Sequence, residues 1–156
     1  MMKLSSTSDY GIRALVDLAQ RDGGGPIPAT EIAQRQGIPG SLVGQVLARL
    51  RAAGFIASVR GAQGGHRLAQ PAEAIRLDAV VEALEGPLAI ATCLERGQRV
   101  DGQGKAFERC TGAAAQVPLW DDVRAAMIAV LASRSIADLA QDSAHLSAPA
   151  GGRYHI

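Results

Sequence analysis

The feature that most limits what this chain can fold into is a single change of hydrophobic period, which falls after three short helical segments broken by glycine and proline. Residues 9–21 carry Ile12, Leu15, Leu18 and Ala19 at helical spacing, with Ser8 or Ser6 available as N-cap and Gly23-Gly24-Gly25-Pro26 as the stop. Thr30 can cap a second short helix that bears Ile32 and Ala33 and ends at Gly37. A third helix is expected from near Ser41, with Leu42, Val43, Val46, Leu47 and Leu50 inward, until Gly54 ends it. The period then changes. Residues 55–59 read as a strand, 61–65 as a glycine-rich tip and 66–69 as the returning strand of a hairpin closed by Pro71. The fold class that follows is mainly α with a small β-hairpin.

Further along, a fourth helix is expected over residues 77–84, with Val80, Val81 and Leu84 inward and Gly86-Pro87 as its end. Residues 92–116 lack periodicity and hold both cysteines. Residues 119–134 regain helical spacing through Leu119, Val123, Met127, Val130 and Leu131, and Ser135 can cap one more turn around Ile136 and Leu139. Small residues dominate from Ser143 onward, which reads as a disordered tail. At 156 residues, 47% hydrophobic and 20% charged, the chain can bury a core without metal or disulfide staples. No apolar run approaches the roughly 20 residues that span a bilayer, and the N-terminus has no apolar signal region, so a cytoplasmic protein with no membrane partner is expected.

The second and third helices carry Ala33, Gly37 and Val43 at a spacing that suits two helices crossing over a tight turn. The crossing needs a small residue, the turn tolerates positive φ, and the second helix needs a buried aliphatic. Any helical hairpin could meet these demands. The hairpin that follows adds specificity, because glycines at its tip let a backbone approach a sugar-phosphate rail while Arg60 and Arg67 can bind phosphates or enter a narrow minor groove. No Gly-Lys-Ser/Thr is present, and Gly64-Gly65 does not open a helix, which argues against a nucleotide loop.

Charge separates along the chain. The formal total of +1 is an average: residues 1–76 hold nine basic and five acidic side chains, net +4, and the remainder holds seven basic and ten acidic, net −3. A basic half with helix-turn-helix spacing and a wing, joined to an acidic helical half, reads as DNA binding coupled to regulation or dimerisation.

The segments Asp9-Tyr10-Gly11-Ile12-Arg13-Ala14-Leu15, Glu31-Ile32-Ala33-Gln34-Arg35-Gln36-Gly37-Ile38 and Leu50-Arg51-Ala52-Ala53-Gly54-Phe55-Ile56 resemble the IscR/NsrR-type winged helix-turn-helix regulators. So do Val59-Arg60-Gly61-Ala62-Gln63-Gly64-Gly65-His66-Arg67-Leu68-Ala69 and Val81-Glu82-Ala83-Leu84-Glu85-Gly86-Pro87-Leu88. The resemblance implies a homodimeric transcriptional regulator, acting as a repressor on double-stranded DNA with an imperfectly palindromic operator. A winged helix-turn-helix domain over residues 1–86 is implied, with the helix-turn-helix at about 30–53 and the wing at 55–69. A cysteine-bearing sensor loop at 87–118, dimerisation helices at 119–140 with Trp120 as a dimer-core anchor, and a disordered tail at 141–156 would follow.

With the third helix in the major groove, Ser41, Gln45 and Arg49 are its expected DNA-contacting residues, Gln45 through a bidentate pair with adenine. Arg60, Gln63 and Arg67 are those of the wing. Gly44 stands where the iron-sulfur-assembly branch has a glutamate, so that branch's base preference does not transfer. His66, where relatives usually have tyrosine, is expected to pack or to neighbour a phosphate.

Many members of this group sense redox state, nitric oxide or iron through an iron-sulfur cluster held by three cysteines. This chain has two, Cys93 and Cys110, and Ala113 where one branch has a histidine ligand. The resemblance makes Cys93, Cys110 and a partner-donated Asp9 the candidate ligands of a [2Fe-2S] cluster. A first-turn helix role is the alternative for Asp9. For the cysteines the alternative is cluster-free thiol chemistry, favoured by Arg96, Arg99, Lys105 and Arg109 nearby in sequence. A thiol redox enzyme and a winged-helix adaptor for protein or RNA are the competing functions; the enzyme lacks a Cys-x-x-Cys motif and a histidine beside either cysteine.

Overall fold

The computed structural model describes residues 5–88 and 116–147. Cys93 and Cys110 lie outside the described residues, as does most of the expected sensor loop. The element order is α1 Ser6–Ala19, α2 Ala29–Gln36, α3 Gly40–Ala52, β1 Ile56–Val59, β2 Gly65–Leu68, a 3-10 turn Ala72–Ala74, α4 Leu77–Glu85, α5 Val117–Ala132 and α6 Ile136–Ser147. The mainly helical class with one antiparallel hairpin is as the sequence implies.

Helix α1 begins earlier than its apolar spacing suggests because Ser5, not Ser6 or Ser8, is its N-cap, accepting a hydrogen bond from the Thr7 backbone at 3.2 Å. Ser8 is buried and donates instead to Glu85 Oε1 at 2.6 Å. Helix α2 starts directly after Pro28, whose restricted φ of −60° needs no side-chain cap, so Thr30 falls inside the first turn. It ends at Gly37 in the left-handed conformation, φ 62°, and Ile38 N–H bonds to Ala33 O at 2.9 Å. This is the tight turn that the Ala33, Gly37 and Val43 spacing implies.

In α3 the inward arc is filled by Val43, Val46, Leu47 and Leu50. Leu42 does not join them. A helix turns about 100° per residue, which carries Leu42 to the outer edge of that arc and leaves it 36% exposed, against the inward position expected from the sequence.

The hairpin pairs Ile56 with Leu68, Ala57 with Arg67, Ser58 with His66 and Val59 with Gly65. A third segment joins it: Ile27 and His66 exchange two backbone hydrogen bonds of 2.8 Å each. One bridging residue between Pro26 and Pro28 has no period to reveal it. Its closeness explains Gly65, where a Cβ would lie 2.4 Å from the Ile27 backbone, and Gly64 is equally constrained, at 2.3 Å from Val59 O. These two glycines serve packing within the chain, while Gly61, φ 119°, makes the turn.

Helix α4 buries Leu77, Val80, Val81 and Leu84 as expected. It crosses α1 so closely that a Cβ on Gly11 would meet Leu84 Cδ1 at 2.3 Å. Helix α6 runs three turns rather than one and continues through residues 141–147, which the sequence assigns to the tail. Ser135 and Asp138 cap it reciprocally: Asp138 N–H donates to Ser135 Oγ at 3.2 Å and Ser135 N–H donates to Asp138 Oδ2 at 2.7 Å. Ile136 is fully buried in the same core as Leu15, Leu47 and Val80, and its N–H bonds to Ile75 O at 2.8 Å. The start of α6 therefore completes the core within one chain. Among the described residues no helix is long and apolar enough to cross a membrane.

Candidate nucleic-acid interface

The candidate interface rests on how α2 and α3 are held. Asp17 of α1 is fully buried yet charged, because three donors converge on it: Arg35 at 2.8 and 3.0 Å, Arg21 at 2.9 Å and Gln36 at 3.1 Å. Burial pushes its carboxyl up, but the hydrogen bonds of Arg35 and Gln36 and the charges of Arg21 and Arg35 outweigh this and hold it below the usual range. Arg35 also pairs with Glu31 at 2.9 Å, and its guanidinium is held above its ordinary value chiefly by the Asp17 hydrogen bond. The cluster fixes α2 to α1 and so sets the platform from which α3 projects. Sequence reasoning passed over Asp17; an acidic residue three positions after buried Ala14, with arginine four positions later, was the available signal.

On α3, Ser41, Leu42, Gly44, Gln45, Ala48, Arg49 and Arg51 face outward. Ser41 and Gln45 are exposed on the first two turns, where a recognition helix meets base edges. Arg49 is partly committed elsewhere, since its Nη1 donates to Leu84 O at 2.9 Å and thereby satisfies a carbonyl at the end of α4. The same turn holds Glu85, whose carboxylate accepts from Ser5 and Ser8. Burial would raise it, but those bonds and the charge of Arg49 keep it below its usual range.

The wing carries Arg60, Gln63 and Arg67 exposed. Arg67 lines an open cleft of about 450 Å³ with Asp22, Gly23, Gly25, Pro26 and Val59. His66 sits at the wing's root, half-buried, with Nδ1 at 3.1 Å from Ser58 Oγ. Its imidazole is lowered first by burial and then by the charge of Arg51. The charge of Arg51, exposed on the last turn of α3, is thus felt at the root of the wing; no sequence spacing singles it out.

Salt bridges sort the arginines. Arg13, Arg21, Arg35, Arg76, Arg124 and Arg134 each pair with a carboxylate. Among the described residues Arg49, Arg51, Arg60 and Arg67 do not, and all four lie on α3 or the wing. Guanidinium groups without a salt bridge, gathered on one helix and an adjacent hairpin, are suited to a polyanion.

Asp9 lies in the first turn of α1, and its carboxylate is held by Arg13 at 2.7 Å, while the same guanidinium stands 5.9 Å over the Tyr10 ring. Among the described residues no three His, Cys, Asp or Glu side chains gather as a metal site. Of the three ligands implied by resemblance, the described part of the chain thus presents one, already engaged as an ion pair, and these residues do not by themselves make a cluster site.

The comparisons with known proteins agree with this architecture. Residues 4–142 match the family model Rrf2, described as an iron-dependent transcriptional regulator. The HTH-type transcriptional regulator IscR of Photobacterium profundum is 33% identical over 142 residues, covering 91% of this chain and 77% of the relative. The structure of T. potens IscR superposes with a TM-score of 0.75 at 32% identity, covering 99% of this chain and 97% of that one. That of CymR, the global cysteine regulator of B. subtilis, superposes with a TM-score of 0.70 at 31% identity, covering 91% and 98%. These relatives are named transcriptional regulators, which sets aside the thiol-enzyme alternative. With a family match over most of its length, a helix-turn-helix held by Asp17 and a wing of unpaired arginines, the chain belongs to the Rrf2 family of DNA-binding transcriptional regulators.

Proposed function

We propose that the chain is a cytoplasmic, homodimeric repressor that lays α3 in the major groove of an imperfectly palindromic operator and sets the wing on the flanking backbone. The four arginines that form no salt bridge among the described residues, all on α3 and the wing, are the observation that carries this reading. Ser41 and Gln45 are assigned base edges, and Arg60, Gln63 and Arg67 the phosphates and minor groove. Arg49 is assigned chiefly to holding α4. Helix α5 leaves Leu119 56% and Val130 67% exposed on one side and Ile128 37% exposed on the other, apolar surface suited to a second copy of the helix. Two-fold symmetry then places two half-sites about one helical turn, or a multiple of it, apart.

The sensing chemistry is assigned to Cys93 and Cys110. The family's iron dependence supports an iron-sulfur cluster, with Asp9 turned from Arg13 to the partner's cluster; the cations near the cysteines in sequence support cluster-free thiol chemistry, in which Asp9 keeps its pair with Arg13. Purification without oxygen, an absorption spectrum and iron and sulfide analysis separate the two, since a colourless, iron-free protein carries no cluster. Footprinting on duplexes selected from a random pool tests the DNA reading: protection of a symmetric site is expected, and failure to protect any duplex overturns it.

A further inference from the structure

The first two turns of α3 present an unusual set of outward groups for a helix that meets DNA. The Ser41 hydroxyl, the Leu42 isobutyl group, the bare backbone of Gly44 and the Gln45 amide are all exposed. The helix has no acidic residue in its first turn, and its basic residues, Arg49 and Arg51, belong to its last. Every other leucine and valine of α3 is buried, so Leu42 is the one large aliphatic of this helix that the fold turns outward. It stands three residues before Gln45, which places the two as neighbours on one helical face. At Gly44 a Cβ would meet nothing within 4 Å, and its absence leaves room beside Gln45 for close approach to a base pair.

Base edges in the major groove demand particular partners. Guanine is read best by arginine or lysine and cytosine by a carboxylate, whereas adenine suits glutamine and the thymine C5-methyl group suits an apolar side chain. Helix α3 carries no carboxylate, the guanidinium of Arg49 one turn after Gln45 donates to Leu84 O, and the last two kinds stand at Gln45 and Leu42. We propose that Leu42 is a specificity-determining residue that packs on a thymine methyl group, so that Leu42 and Gln45 together select A·T pairs under the start of α3. This rests on the proposed placement of α3 in the major groove. The exposed third of the Leu42 side chain loses contact with water against the methyl group, and a cytosine at that position would offer no methyl group to cover it.

The test uses the full chain and a duplex selected from a random pool. Each thymine is replaced in turn by deoxyuridine, which removes only the C5-methyl group and leaves Watson–Crick pairing intact. At one thymine per half-site the replacement is expected to weaken wild-type binding by about three- to tenfold, while Leu42→Ala, already weakened on the thymine duplex, shows less than about a twofold further loss. Leu42→Val, which keeps an aliphatic group, retains part of the sensitivity. Circular dichroism establishes that both variants are folded. Equal losses in wild type and Leu42→Ala, or no sensitive thymine, overturn the assignment while binding itself and its dependence on Gln45 leave the major-groove placement standing. Failure of Gln45→Ala and Leu42→Ala alike to alter binding to any selected duplex overturns both.

Discussion

At Asp17 one buried carboxylate decides whether the helix-turn-helix is held in place. Removing one partner of a buried ion pair typically costs about 3–5 kcal/mol, and because Arg35 keeps Glu31 and some exposure, Asp17→Asn is expected near the lower end, about 3 kcal/mol, in urea unfolding at neutral pH. The folded carboxyl titrates below its ordinary value of 3.8, so its contribution is fully present above that pH and is lost as the pH falls through the folded value. The gap between wild type and Asp17→Asn should therefore narrow below about pH 4. A constant gap would mean that the carboxylate is not the stabilising species. At Gln45 the expected effect is on discrimination: Gln45→Ala should relax preference at one operator position by about 1–3 kcal/mol, read by comparing operator variants. The two residues are not equally legible in the sequence. Gln45 is outward by simple periodicity, but Asp17 looks like an ordinary polar interruption until the arginines of another helix are seen to surround it.

Among the elements, α3 and the hairpin show why legibility differs. The period of Val43, Val46, Leu47 and Leu50 locates α3 correctly, yet it misplaces the edge residue Leu42, because an arc boundary depends on where neighbouring helices stop covering it. The hairpin's two strands follow from alternation, whereas its Ile27 bridge depends on a contact across the fold. Glycine roles divide likewise. Gly44→Ala fills open space in a helix and should stabilise the free protein by about 1 kcal/mol, visible as a higher thermal midpoint. Gly65→Ala drives a Cβ into the Ile27 backbone and should destabilise by about 1–3 kcal/mol, with increased hydrogen exchange in the wing. Similar effects from both substitutions would contradict the packing described for the wing. Helix α6 is longer than its sequence suggests because small residues around Ala137, Ala140 and Ala144 resemble a tail composition, although the Ser135–Asp138 cap is readable.

Across the whole molecule, the charge of +4 on residues 1–76 becomes meaningful only after ion pairing is subtracted. Among the described residues the arginines of α1, α2 and the C-terminal region pair locally, which leaves those without a salt bridge on α3 and the wing. On the operator these arginines are expected to neutralise phosphates, which a salt titration of operator affinity measures. Each phosphate neutralised contributes about −0.9 to the slope of log K against log salt, so Arg60→Ala and Arg67→Ala should each weaken binding across sequences and flatten the slope by about 1. A slope unchanged by both substitutions would contradict the wing's role as the phosphate-binding element.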